Sequence, residues 1–433
     1  MLLNRSTANN SKLKTRNSKL KTQPVPPPRA VAAPHPLLVR AVVQTLYTIF
    51  ADNRHADKVI ENTLRQNPKA GSRDRAFIAE TTYEVVRHYR ILSEALGKTP
   101  GSEFDFWQLI GVYFLFRDMP LPDWTEFKTL KTAEIQQRLT ALRQIRAVRE
   151  SVPDWLDALG QAELGENWEP TLVWLNRPAT VVLRTNRLKT TRAALQQALQ
   201  TEGVVSSPVG PLDALVLERR QNVFQTKAFK AGLFVVQDYS SQLVAPLLDP
   251  APGMRVVDAC AGGGGKTLHL SALMQNKGSL IALDTQGWKL EELRARARRA
   301  GATNIETRPI DNRKVVKRLY GTADRLLLDV PCSGLGVLRR NPDAKWKLTL
   351  AQIDQLRATQ QDILEHYSPI LKPGGTMVYA TCSILPSENQ SQVAHFLQSE
   401  AGKSFALAAE KRILPQDEGF DGFYMAKLVK ESK

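Results

Sequence analysis

Cysteine occurs three times in the 433 residues, each time in a Gly- or Pro-marked turn at the end of an apolar, strand-like run. Cys260 lies in Asp258-Ala-Cys-Ala, Cys332 in Asp329-Val-Pro-Cys-Ser-Gly and Cys382 in Ala380-Thr-Cys-Ser. Strand ends are where an open α/β sheet builds its ligand crevice, so thiols placed there read as chemistry. The plainer alternative is that each is a small buried hydrophobe. An odd number of cysteines makes no disulfide framework and points to free thiols in a reducing compartment.

The stretch Cys260-Ala261-Gly262-Gly263-Gly264-Gly265-Lys266 ends one strand and opens a helix. Successive glycines let the backbone approach a ligand closely and take positive φ. A phosphate-cradling loop of the Gly-x4-Gly-Lys-Thr kind would need glycine at 260, where cysteine stands. Asp284, Asp311 and Asp329 each follow as a later apolar run ends. A carboxylate after the second strand is where a ribose hydroxyl is held, and one after the third can accept from an adenine amino group. Alone, each acid reads equally well as a helix cap. In register beside a glycine loop they indicate a nucleoside cofactor.

These residues need a parallel sheet behind them. Strands are expected near Arg255–Cys260, Ser279–Asp284, Ile305–Ile310, Asp324–Val330 and Thr376–Thr381, alternating with helices, the habit of an α/β domain covered on both faces. One such helix, Lys289–Ala300, keeps Leu290, Leu293, Ala297 and Ala300 inward, and Arg294, Arg296, Arg298 and Arg299 read as a solvated face. This domain is assigned to residues 234–433. Residues 151–233 form a small α+β module, with a β-branched run at Thr180–Leu183, a helix stopped by Gly203 and a strand at Ala214–Leu217. Residues 37–150 are all helical, as over Arg73–Arg90, where Phe77, Ile78, Val85, Val86 and Tyr89 share one face.

Residues 1–36 carry seven basic side chains, no acid and a Pro-rich run, and are expected to be a disordered basic arm, with a transit peptide as the alternative. They hold fewer than half of the net charge of +16, so the folded body is itself basic, as suits a polyanionic partner such as nucleic acid. No run reaches the roughly 18 apolar residues of a membrane span. A cytoplasmic protein without membrane or metal partners is expected.

With these motifs in hand, the chain resembles the S-adenosylmethionine-dependent RNA (cytosine-5) methyltransferases, most closely the bacterial RsmB-like branch. The resemblance rests on Asp329-Val-Pro-Cys-Ser-Gly-Leu-Gly336 with Arg339-Arg-Asn-Pro-Asp343, on Leu371-Lys-Pro-Gly-Gly375, Tyr379-Ala-Thr-Cys-Ser383 and Glu388-Asn389, and on Arg184-Thr-Asn186, Gln237-Asp238 and Asp421–Lys427. It implies a Rossmann-like methyltransferase domain, an RRM-like α+β module and a helical RNA-binding domain of the antitermination-factor type.

It further implies that Cys382 is the nucleophile on cytosine carbon 6 and that Cys332 releases the adduct, with Asp329 and Lys266 assisting. Cys260 through Lys266, Asp284, Asp311 and Asp329 would hold S-adenosylmethionine. Arg184, Asn186, Arg339 and Arg340 are expected to meet RNA, although Arg339 and Arg340 read equally as a surface pair starting a helix. The family commonly has Ala-Pro where this chain has Gly262-Gly263. The expected substrate is 16S ribosomal RNA and the expected state a monomer. A transfer-RNA enzyme, a DNA cytosine-5 enzyme and a non-catalytic assembly factor are the alternatives.

Overall fold

A computed structural model describes residues 34–432, Leu212 excepted. The expected basic arm therefore lies outside the described residues, apart from its last three. Helices Pro36–Ala51, Ala56–Gln66, Ser72–Arg87, Tyr89–Leu96, Glu103–Phe116 and Thr132–Leu142 pack around Leu46, Ile78, Ile91, Phe106 and Phe114. The one helix expected over Arg73–Arg90 is two, which meet at His88, and Arg87 at that bend is buried.

The small module is a four-stranded antiparallel sheet of β1 (Val182–Thr185), β2 (Ser206–Val209), β3 (Ala214–Leu217) and β4 (Phe234–Val236), in the order β2-β3-β1-β4. Because β4 pairs with β1, this sheet runs past the expected boundary at 233. The helix Arg192–Thr201 ends as expected, with Gly203 at φ 76°. Two further helices of this region, Asp154–Leu164 and Trp168–Leu175, do not cover that sheet. Their apolar faces, Leu156, Trp168 and Leu172, pack with Leu335, Ile384 and Leu385, directly behind the two later cysteine turns.

The large sheet has seven strands. β5 (Arg255–Asp258), β6 (Ser279–Asp284), β7 (Ile305–Pro309), β8 (Ala323–Asp329) and β9 (Leu371–Thr381) are parallel, and β10 (Phe405–Ile413) and β11 (Phe423–Lys430) complete it antiparallel, in the order β10-β11-β9-β8-β5-β6-β7. The central strands are buried on both faces, which is why Leu280–Leu283 and Leu326–Leu328 are unbroken apolar runs. Helices Gly265–Leu273, Gly287–Ala300 and Leu350–Tyr367 connect the parallel strands. The order steps outward from β5 on one side and β8 on the other, so the crevice lies above the carboxyl ends of these two strands.

Candidate active site

The first turn above the sheet follows β5. Ala259 N–H donates to Leu327 O at 3.0 Å and Ala261 N–H to Leu283 O at 2.9 Å, so the loop rises from between the two neighbouring strands. Gly262 has φ 53° and Gly264 φ 82°, conformations that side chains seldom adopt. A Cβ on Gly264 would strike Leu293, whereas around Gly262 there is open space. Asp284, at the end of β6, accepts from Gly262 N–H at 2.9 Å and from Gln286 N–H at 2.8 Å. Asp311 is exposed beyond β7. Below the loop, Asp258 is buried. Its Oδ2 accepts from Thr267 at 2.7 Å while its Oδ1 has no partner, and burial pushes this carboxyl up to about 7.

The second turn follows β8 and the third follows β9. They bring Cys332 Sγ and Cys382 Sγ to 3.4 Å from each other, both thiols half-buried. Asp329 accepts from Lys266 Nζ at 2.7 Å, and that ammonium stands 5.1 Å from the centre of the Phe423 ring. Lys266 thus links the glycine loop to the thiol turns. The hydrogen bond to Cys382, then burial, push the Cys332 thiol well up. Cys260 sits in the first turn, on the glycine loop. Burial and the nearby Asp258 raise its thiol, a poor setting for a thiolate.

Close approach explains Gly336. Its N–H donates to Cys382 O and its carbonyl accepts from Gly422 N–H, each at 2.9 Å. A Cβ there would fall 2.2 Å from Gly422 O and 2.6 Å from Cys382 O. Asn389 holds the third turn from below, accepting from Thr381 Oγ1 at 2.5 Å and donating to Ser383 O at 3.1 Å.

Of the four residues expected to meet RNA, the structure buries Arg184, Asn186 and Arg339 and leaves Arg340 half-buried. Arg184 is buried and donates to Gln237 Oε1 and Gly265 O, so it fastens β1 to the glycine-loop helix. Asn186 is buried and donates to Gly232 O and Ala300 O. Arg339 is buried against the carbonyls of Pro178 and Gly419. Arg340 pairs with Asp238 and Asp421. The first three spend these donors inside the protein, whereas Arg340 keeps about 30% of its side chain exposed. Two arginines of the helix Gly287–Ala300 likewise leave the solvated face: Arg296 donates to Gly263 O at 2.7 Å, and Arg299 lies 3.9 Å from the Phe229 ring centre.

The stretch after Cys332 has a different task. Ala56 N–H donates to Asp343, Trp346 Nε1–H to Val86 O, and buried Lys345 to Arg87 O, while Arg87 reaches back to Arg339 O. This stretch docks the helical domain. Burial and the nearby Arg87 hold Lys345 well below the usual lysine range.

Comparison with known proteins agrees with this architecture. A family model described as 16S rRNA methyltransferase RsmB/F matches residues 245–429, and a ferredoxin-like domain model of the same family matches residues 152–224. The probable ribosomal RNA small subunit methyltransferase B of Synechocystis is 33% identical, over 87% of this chain and 95% of that protein. The chain belongs to the RsmB/F family. The ribosomal RNA small subunit methyltransferase B of Vibrio cholerae is 34% identical over 83% of this chain and 90% of its own length. NSun6 from Pyrococcus horikoshii, solved with SFG, shares the fold at 21% identity, with a TM-score of 0.60 over 66% of this chain and 99% of that one.

As an RsmB/F member the protein is an S-adenosylmethionine-dependent RNA methyltransferase with a Rossmann-like catalytic domain. Its residues fit that cofactor. Open space lies over Gly262, a buried acceptor of Asp258 is unpartnered, Asp284 ends β6, and Asp311 lies exposed two residues past the end of β7. Among the described residues no group of three or more His, Cys, Asp or Glu is disposed to hold a metal ion, and no helix is long and apolar enough to cross a membrane.

Glu388, in sequence one half of the Glu388-Asn389 motif, also belongs to the site. It is fully buried and bonded to both thiol turns.

Proposed function

We propose that the protein forms 5-methylcytosine in RNA, with small-subunit ribosomal RNA as substrate, through a covalent bond between Cys382 and cytosine carbon 6. The observation that carries this reading is the 3.4 Å approach of two free thiols beside the Lys266–Asp329 pair at the mouth of a nucleoside crevice. Carbon 5 of cytosine is a poor nucleophile until something adds at carbon 6, and a thiolate suits that addition. The target base must leave its stack to reach Cys382, so opened or looped RNA is the form that binds.

In the first step the Sγ–C6 bond forms, the C5=C6 electrons move through C4 to N3, and N3 gains a proton. Asp329 bonds the cytosine edge and supports that protonation, while the Lys266 ammonium offsets the developing charge. Bound S-adenosylmethionine, held by residues 260–266 with Asp284, Asp311 and Asp329, supplies an electrophilic methyl group for carbon 5. Cys332 then takes the proton from carbon 5, the C5=C6 bond re-forms, the Sγ–C6 bond breaks with its electron pair returning to Cys382 as thiolate, and N3 gives back the proton it gained.

The raised Cys332 thiol gives this order a physical basis. Its first cause is the neighbouring Cys382 thiol. Bonding Cys382 to carbon removes that cause and so favours loss of the Cys332 proton, while burial and the Glu388 charge still oppose it.

The test is adduct trapping on RNA. Cys332→Ala should accumulate an RNA–protein adduct that survives denaturing electrophoresis, and Cys382→Ala should form none. The reverse pattern would make Cys332 the nucleophile and sink the assignment. Bisulfite sequencing of cellular RNA from a deletion strain should show one or more small-subunit cytosines losing protection.

A further inference from the structure

Glu388 has no exposed surface, yet it is an acid bonded entirely to neutral donors. Oε1 accepts from Ser333 N–H at 2.8 Å and from Gln360 Nε2 at 3.1 Å. Oε2 accepts from Ser333 Oγ and Ser383 Oγ, each at 2.5 Å. Ser333 follows Cys332 in the chain and Ser383 follows Cys382. Gln360 also donates to Pro331 O at 3.0 Å, so the turn holding Cys332 is gripped on both sides. Tyr379 donates to the Glu388 carbonyl at 2.6 Å, and Glu163 accepts from the N–H and hydroxyl of the adjoining Ser387. A solvent-facing acid would need none of this. Burying a carboxylate is costly unless its donors are fixed, and here they are the two catalytic turns themselves.

From this geometry we propose that Glu388 is a positioning residue that sets the spacing between the Cys382 and Cys332 thiols, its Ser383 arm serving attack and its Ser333 arm serving release. The proposal rests on the two-thiol mechanism above.

It is tested by cutting the arms separately. Ser333→Ala should leave KM for RNA and for S-adenosylmethionine unchanged, lower turnover about tenfold, the worth of one charge-assisted hydrogen bond, and let the RNA adduct linger. Ser383→Ala should instead slow formation of the adduct by a similar factor. Glu388→Ala should lose turnover about 100-fold, and Glu388→Gln, of the same shape, should recover most of it.

Should Glu388→Ala fail to fold, the serine pair decides alone. Serine variants that lower thermal stability but leave both adduct rates unchanged would overturn the proposal. Cys332→Ala and Cys382→Ala are run alongside. If these two do not separate release from attack, the underlying mechanism falls; if they do and the serine variants do not, only the role of Glu388 falls.

Discussion

The two halves of the crevice are built by different means. In the cofactor half each acid stands where a parallel strand stops: Asp258 ends β5, Asp284 ends β6, and the bonds that shape the loop run to adjacent strands. In the thiol half the turns after β8 and β9 are fixed by buried side chains outside the sheet, Glu388, Gln360 and Asn389, with half-buried Glu163 holding the adjoining Ser387. A ladder places its groups through its own regularity, whereas two irregular turns depend on a side-chain network, and in this one Gln360 Oε1 is left without a partner. The thiol half should therefore be the more sensitive to single changes.

The sharpest break of that kind is Cys382→Ala. Methyl transfer to RNA should fall by roughly four orders of magnitude or more, as removal of a nucleophile does elsewhere. Cofactor binding, measured by calorimetry, should be untouched. Gly336→Ala comes next. Its Cβ would collide with two backbone oxygens, one of them Cys382 O, so about 2–3 kcal/mol of stability should be lost. A lower melting temperature together with reduced turnover would confirm it; a protein of parental stability would show that the turns can yield.

On the cofactor side, Asp258→Asn probes charge. The folded carboxyl titrates at about 7, above its ordinary value of 3.8. Between these values the folded protein keeps a proton that the unfolded chain has lost. Stability from this group is thus full below about pH 4 and declines as pH rises through 7. In the asparagine variant, urea midpoints at about pH 5 and about pH 8 should differ less than in the parent, whereas an unchanged slope would remove Asp258 from the balance. Smallest of all is Gly262→Ala. The space is open, so only the left-handed backbone is penalised, by about 1 kcal/mol. A larger loss, or a cofactor affinity changed by orders of magnitude, would show that the two halves are equally intolerant.

This contrast also explains what could be read in advance. The parallel strands, the acids at their ends and the paired thiol turns follow from apolar runs that stop at Gly, Pro or Asp, a local signal. The roles of Arg184 and Arg339 are not legible in sequence, because an arginine beside a strand looks the same whether it faces RNA or a neighbouring domain. Only the fold reveals that their donors are spent on carbonyls far along the chain. Glu388, in the polar run Ser387-Glu388-Asn389, looks like a surface turn, and its burial depends on contacts that spacing does not carry. β10 went unseen because nearly all of it is exposed and it lacks the alternation of a half-buried strand.

Residues 338–347 fasten three folding units at once. The helical domain grips this stretch through Arg87 and Val86, the linker before β1 through Pro178, and the far edge of the catalytic domain through Gly419 and Asp421. A circularly permuted chain opened within it would put new termini among these joints and should weaken them. The exposed loop at 219–222 holds none of these hydrogen bonds, although the charge of Arg220 is felt at Arg87, so it is the gentler place to split or tag the enzyme.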